Sequence, residues 1–277
     1  MLYICATPIG NLKDISIRAL EVLAASDIIL CEDTRTSKQL LSAHGINYKQ
    51  LIALHQHNEN QIAEKVLNYL SSGMTVTQIS DAGTPGISDP GARLCQIVLA
   101  AGYKVSPIPG ACAYISLLSV AGLDKPSLFY GFLPSTKNAR IKILEEWAGS
   151  SYAIGIYESP HRIIDSMQDI VTVLGECRPI IMGRELTKQF ETIKYATASA
   201  LLEFIKSDPN QQRGEFVLLI YPDILIKTAE EALTSEQIKV LKLLLPELPP
   251  KKAVSITHKL TGANKDLLYN YAIKSVK

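Results

Sequence analysis

The stretch that most constrains this chain is Ser80–Gly91, SDAGTPGISDPG. Its twelve residues hold three glycines, two prolines and two aspartates, and it follows directly on the alternating run Met74-Thr75-Val76-Thr77-Gln78-Ile79. A strand therefore runs into a stiff loop poor in side chains. Glycine removes the Cβ and proline fixes φ, so backbone N–H and C=O groups in such a loop can approach a ligand closely. A β-turn needs only about four residues, far fewer than are spent here. Loops of this kind at the carboxyl end of a strand are where open α/β sheets hold small molecules.

The rest of the chain supplies such a sheet. Strand-like runs at Leu2–Ala6, Asp27–Cys31, Met74–Ile79 and Lys104–Pro107 alternate with helix-like runs at Ser16–Ala25, Thr36–Ala43, Asn60–Ser71, Gly91–Ala101 and Cys112–Val120. This alternation predicts βαβ units and a largely parallel sheet covered by helices. Gly122–Pro126 reads as a linker. A second α/β series follows, with strands at Ser127–Gly131, Tyr152–Tyr157, Pro179–Gly183 and Glu215–Tyr221. The last segment is helical, opened by Thr234-Ser-Glu-Gln237 at capping-box spacing. The expected organisation is an α/β domain over 1–122, a second over 127–223, and a helical extension over 229–277.

Composition excludes several classes. No apolar run reaches the roughly 18 residues that span a bilayer, and no basic segment precedes the first strand as in a signal peptide. Cys5, Cys31, Cys95, Cys112 and Cys177 are scattered and odd in number, which suits free thiols in a reducing cytoplasm. Net charge is +1. From Lys227 onward nine lysines face five acidic residues, leaving the tail at +4 and the remainder at −3. A basic tail on an acidic body fits a nucleic-acid grip, and it equally fits a solvated helical face.

No G-x-G-x-x-G follows the first strand, and neither a P-loop nor a G-x-S-x-G elbow occurs. His55-x-His57 is the one clustered histidine pair, and nothing in the sequence requires a metal. What remains is a set of strand-following loops: Thr7-Pro-Ile-Gly-Asn11, Glu32-Asp-Thr-Arg35, the glycine-proline loop, and Pro107-Ile-Pro-Gly-Ala-Cys-Ala113. In a parallel sheet they converge on one edge and describe a pocket for a sizeable small molecule.

TPIGNLKDIS, EDTRTS, SDAGTPGISDPG, PIPGACA, YESPHR and GREL-T resemble, in order over residues 2 to 221, the tetrapyrrole-methylase-fold (class III) methyltransferases. The likeness is greatest to the branch that 2′-O-methylates a cytidine ribose in 16S rRNA of the small ribosomal subunit. The resemblance implies two α/β domains with S-adenosylmethionine in the cleft between them, and a homodimer. It carries Pro8 and Gly10 to the first-strand loop beside the cofactor, and Asp81, Gly83 and Thr84 to the loop holding its methionine and sugar. Cys112 and Ala113 fall on the adenine side, and Glu158 and Leu186 contact the cofactor from the second domain. Tetrapyrrole methylases themselves carry G-x-G-P-G and G-D-P loops where this chain has TPIGN and SDAGTPG. A tetrapyrrole acceptor and an inactive RNA-binding factor are the alternatives. The run His55-Gln-His-Asn58 lacks the acid that relatives place before the second histidine.

A ribose hydroxyl is a poor nucleophile, so such an enzyme must align it and help remove its proton. Glu32 or Asp33 is the expected base, among edge-loop candidates that include Glu158, Glu185 and His161, with Arg35 orienting a phosphate. The alternative is that Asp33 and Arg35 simply pair with each other. RNA contacts are expected from Arg18, Lys38, Lys137, Arg140, Arg162, Arg184 and Lys188, and from Lys251, Lys252 and Lys259 in the tail.

Overall fold

The computed structural model describes residues 1–55, 57–222 and 233–275. It divides into two compact units, Met1–Glu145 with Tyr152–Tyr221, and Glu146–Ser151 with Pro222–Lys277. The first unit holds two five-stranded sheets. Gln56 of the histidine run and the start of the 229–277 segment lie outside the described residues.

The first sheet is built from β1 (Leu2–Cys5), β2 (Ile28–Cys31), β3 (Leu51–Ala53), β4 (Val76–Gln78) and β5 (Val105–Ile108). All its pairings are parallel, in the order β3-β2-β4-β1-β5. Residues alternate faces along a strand, and every residue of β2 is buried, so both faces must be covered. Ile28 and Leu30 pack with α3 (Glu59–Ser71) and α4 (Ala92–Ala100) through Ile62, Val66, Leu94 and Val98. Ile29 and Cys31 face the other way, onto α1 (Ile17–Ala25) and α2 (Thr34–Ala43) through Ala19, Leu23 and Leu41. Each such fully buried Leu or Ile contributes roughly 1.5–3 kcal/mol.

This topology creates a crevice. β1 and β4 are neighbours, yet β1 leads to α1 on one face while β4 leads to α4 on the other. Their loops part at the carboxyl edge, which is the switch-point geometry that holds ligands in doubly wound sheets.

The second sheet comprises β6 (Ser127–Phe132), β7 (Ala153–Glu158), β8 (Pro179–Arg184), β9 (Thr192–Thr197) and β10 (Phe216–Ile220), in the order β6-β7-β10-β8-β9. Its character differs from the parallel expectation. β10 runs antiparallel to both β7 and β8, and β8–β9 is an antiparallel pair. Two strands bury no residue fully. β3 has three half-buried residues, and no residue of the edge strand β9 is fully buried.

α5 (Ala113–Val120) leaves the first sheet but packs on the second, where Tyr114 and Leu117 join Ala153, Ile181, Val217 and Leu219. Gly155 of β7 permits this, because a Cβ there would meet the Tyr114 ring at 2.2 Å. On the opposite face lie Ile154, Ile156, Ile180, Met182 and Leu218. α6 (Lys137–Trp147) follows β6 in the chain; α7 (Ile163–Leu174) packs on α8 (Ala198–Ser207), and α8 on β8 and β9.

The described part of the second unit includes α9 (Ser235–Leu244), α10 (Pro250–Thr261) and α11 (Lys265–Ser275). The capping box forms as its spacing predicts: Gln237 N donates to Thr234 Oγ1 at 3.2 Å, and Thr234 N donates to Gln237 Oε1 at 2.9 Å. Leu241, Ala253, Val254, Ala263, Leu268 and Ala272 form a core of its own.

Candidate active site

The loops at the carboxyl edge of the first sheet are tied to one another by hydrogen bonds. Thr7 N donates to Gly83 O at 2.8 Å and Gly83 N to Thr7 O at 3.1 Å, an antiparallel bridge between the loops after β1 and β4. Thr7 Oγ1 adds a bond to Ser80 O at 3.1 Å. Thr84 Oγ1 donates to Ala111 O at 3.0 Å, which brings in the loop before α5. Asp33 N donates to Asp81 Oδ1 at 3.0 Å, which brings in the loop after β2.

From the second sheet, the β8–β9 loop reaches across to the first. Asn11 N donates to Thr187 Oγ1 at 3.1 Å. Gly10 lies flat against that loop, and a Cβ there would stand 2.4 Å from Lys188 Cγ and 3.0 Å from Leu186 O. Three non-glycine residues here adopt left-handed backbone: Ser88 at φ 64°, Glu185 at φ 51° and Thr187 at φ 65°. Each such residue costs of order 1–3 kcal/mol, and strain of this kind clusters at ligand sites.

Between these elements lies a cleft of about 340 Å³. One wall is Ile9, Asp81–Thr84, Ile87–Asp89 and Cys112–Ala113. The other is Phe132, Tyr157–Pro160, Gly183, Leu186 and Glu215–Val217. The volume lies within the usual range of about 300–1,000 Å³ for small-molecule sites. Tyr157 Oη accepts from Tyr114 N at 3.2 Å and lies 3.8 Å from Cys112 Sγ.

The residues singled out by sequence fall into two groups. Asp81, Gly83, Thr84, Cys112, Ala113, Glu158 and Leu186 line the cleft. Pro8 and Gly10 do not; their loop contributes Ile9, because Gly10 is turned against residues 186–188. Glu32, Asp33 and Arg35 also stand outside the lining.

Asp33 caps α2 and binds Arg35 at 2.6 Å, the pairing left open as an alternative. The Arg35 guanidinium holds the Asp33 carboxyl down at about 2, with the Arg35 N–H assisting. Glu32 is raised instead, by partial burial and by the charge of Asp81. Glu158 is buried, and its carboxylate is engaged by Ser159 N, Arg162 and Ser166 Oγ. Glu185, despite desolvation that opposes it, is held low by Lys188 and by Glu215 N. Arg162 and Lys188 are thereby committed to carboxylates. Arg140 is buried against Asp169 at 2.6 Å, and Arg184 is buried among Arg213 O, Phe190 O and Thr192 Oγ1. Arg140 and Arg184 are therefore structural cations, in correction of the RNA-contact expectation.

Sequence reasoning missed Asp89, Tyr157, Phe132 and the start of β10. Asp89 and Tyr157 sit inside motifs already in view. Phe216 and Val217 carry no local signal, since they reach the cleft only through the antiparallel register that pairs Phe216 with both Glu158 and Arg184. Asp89 is the most perturbed of these carboxyls. Burial, then Glu32 and Asp81, push it up to about 7 against a hydrogen bond from Ser80.

Comparison with known proteins decides the family. Residues 1–202 match the family model Tetrapyrrole (Corrin/Porphyrin) Methylases, and residues 231–275 match the RsmI C-terminal HTH domain. The ribosomal RNA small subunit methyltransferase I of Neisseria meningitidis serogroup B is 44% identical over 273 residues, 98% of this chain and 92% of that protein. Its counterpart in Escherichia coli O157:H7 is 46% identical, over 99% of this chain and 94% of that protein. The chain belongs to the ribosomal RNA small subunit methyltransferase I family.

Among solved structures, cobalt precorrin-4 methyltransferase CbiF matches with a TM-score of 0.57 at 17% identity, covering 79% of this chain and 93% of that one. The methyltransferase CobJ matches with a TM-score of 0.59 at 16% identity, covering 80% and 93%. At these identities the likeness is one of fold. The two-sheet body of this chain thus has the tetrapyrrole-methylase fold, while the helical tail matches a separate C-terminal HTH domain.

Proposed function

We propose that this chain transfers the methyl group of S-adenosylmethionine to the 2′-oxygen of a cytidine ribose in 16S rRNA of the small ribosomal subunit, as a cytoplasmic homodimer. The observation that carries this reading is the cleft at the β1/β4 switch point, in a chain of the ribosomal RNA small subunit methyltransferase I family. The residues fit the cofactor. Ile9, Cys112, Ala113, Leu186 and Val217 offer an apolar bed, the glycine-proline loop offers close backbone, and the acidic side chains suit a ligand with a cationic sulfur.

When bound, the cofactor supplies a methyl group already activated by its positive sulfonium. The chain must then align a ribose hydroxyl and accept its proton. Alignment supplies several orders of magnitude and a general base about 10² to 10⁴. Thr84, Asp81 and Gly83 would hold the donor, with Cys112 and Ala113 on one wall and Glu158 and Leu186 on the other; Pro8 and Gly10 set the wall that Ile9 completes. Of the two expected bases Glu32 is the candidate kept, since burial and the charge of Asp81 raise its carboxyl while Arg35 pairs with Asp33 and depresses it. Asp33 then holds Arg35, whose side chain is 87% exposed, for an RNA phosphate.

Segments 1–122 and 127–223 form the catalytic body and 229–277 grips RNA, with Lys251, Lys252 and Lys259 exposed on α10. Dimerisation is supported by the edge strand β9 and its flank, where Phe190 is 68% and Tyr195 61% exposed beside Ile193. No helix among the described residues is long and apolar enough to cross a membrane.

Cys112 provides the test. In a Cys177→Ser background, S-adenosylmethionine should slow modification of Cys112 by N-ethylmaleimide at least tenfold. Unchanged modification at saturating cofactor would place the cofactor elsewhere.

A further inference from the structure

The charge lining the cleft is all of one sign. Its acidic members are Asp81, Asp89, Glu158 and Glu215, and the lining includes no lysine, arginine or histidine. Two of the four have cationic partners, Glu158 with Arg162 at 2.7 Å and Glu215 with Lys188 at 3.1 Å. Asp81 and Asp89 have no ion pair among the described residues. Asp81 accepts the Asp33 N–H at 3.0 Å. Glu32, from the loop after β2, adds a third carboxyl whose charge reaches Asp89. Opposite stands Tyr157, whose hydroxyl burial raises and so keeps neutral. A half-buried carboxylate with like-charged neighbours and no counter-charge is stabilised only when a cation arrives with the ligand.

We propose that Asp89 is the residue by which the cleft distinguishes a sulfonium-bearing methyl donor from the neutral thioether left after transfer. The ionised carboxylate favours the first, and loss of the positive charge on sulfur weakens the hold on the product. The proposal rests on the S-adenosylmethionine reading of the cleft and deepens it. Chemically, the cleft is selective for charge at sulfur, which the adenosine and amino-acid parts shared by donor and product cannot provide.

The consequence is a pH dependence that belongs to the donor. With the Asp89 carboxyl near 7, about half the free protein carries the binding-competent anion at neutral pH. A ligand that needs a minority state has its affinity reduced by that state's fraction. Donor affinity therefore falls about tenfold from pH 8 to pH 6, while product affinity changes little. The sign follows from the raised carboxyl: protonation at low pH removes the charge that attracts the sulfonium.

The test is calorimetric titration of the full-length protein with S-adenosylmethionine and with S-adenosylhomocysteine at pH 6 and pH 8, for wild type and Asp89→Asn. Comparing variants at one ligand cancels the ligand's own ionisation. Wild type should lose about tenfold in donor affinity at pH 6, Asp89→Asn should show no such loss, and Asp89→Glu should restore it. Product binding by Asp89→Asn reports that the variant is folded. Should that variant fail to fold, wild type alone decides. At pH 7, donor binding should release about half a proton more than product binding, read from two buffers of different ionisation enthalpy. An unchanged pH slope in Asp89→Asn, or equal proton release for the two ligands, would overturn the role of Asp89 and leave the cofactor reading standing. Binding of neither ligand by wild type at pH 8 would overturn both.

Discussion

Gly10, behind the cleft wall, and Asp89, in its lining, act as single residues. Gly10 lets the loop after β1 lie against residues 186–188, and Gly10→Ala sets a Cβ into Lys188 Cγ and Leu186 O. Overpacking of this kind costs about 1–3 kcal/mol. The expected outcome is a lower midpoint in thermal unfolding and weaker cofactor binding, because the same contact joins the two walls. Asp89 acts in the opposite sense on stability. Its carboxyl is raised in the folded state, so the fold binds the extra proton between about 4 and about 7 and loses that stabilisation as pH rises. Asp89→Asn removes the uncompensated charge. The ligand-free variant should therefore unfold at a higher temperature than wild type at pH 8, with the gap narrowing at pH 5. An equal gap at both pH values would mean that Asp89 is ionised throughout.

At the scale of elements, legibility followed burial. β2 and β4 have every residue buried, and both stood out as apolar or β-branched runs. The loops after β1, β4 and β5 were legible as ligand loops because glycine and proline mark backbone function directly in the sequence. β9 was not: Ile193 and Tyr195 alternate with Lys194 and Ala196 over only a few positions, and no residue of the strand is fully buried. The wall of Phe216 and Val217 was equally silent, because a register is a long-range property that no local pattern encodes. The exposed apolar side chains of β9 carry their own prediction. Ile193→Lys with Tyr195→Lys should convert a dimer to a monomer in sedimentation velocity, with secondary structure unchanged. A monomeric wild type would remove the dimer from the account.

For the whole molecule, the proposed function gives the α/β body and the basic helical segment separate roles. Deleting residues 229–277 should leave S-adenosylmethionine affinity within about twofold and weaken association with small ribosomal subunits at least tenfold. Phosphate contacts dominate such binding, so the deletion should also flatten its dependence on salt. Unchanged subunit binding would assign the RNA grip to the body, whose candidates have narrowed now that Arg140, Arg162 and Arg184 serve structural roles. Methyl transfer itself is measured by incubating the protein with labelled S-adenosylmethionine and small subunits lacking the modification, followed by alkaline hydrolysis of the 16S rRNA. A 2′-O-methyl group blocks cleavage beside it, so one labelled cytidine resistant to alkali is expected. Label at an alkali-sensitive position, or no transfer to the subunit despite tight cofactor binding, would contradict it.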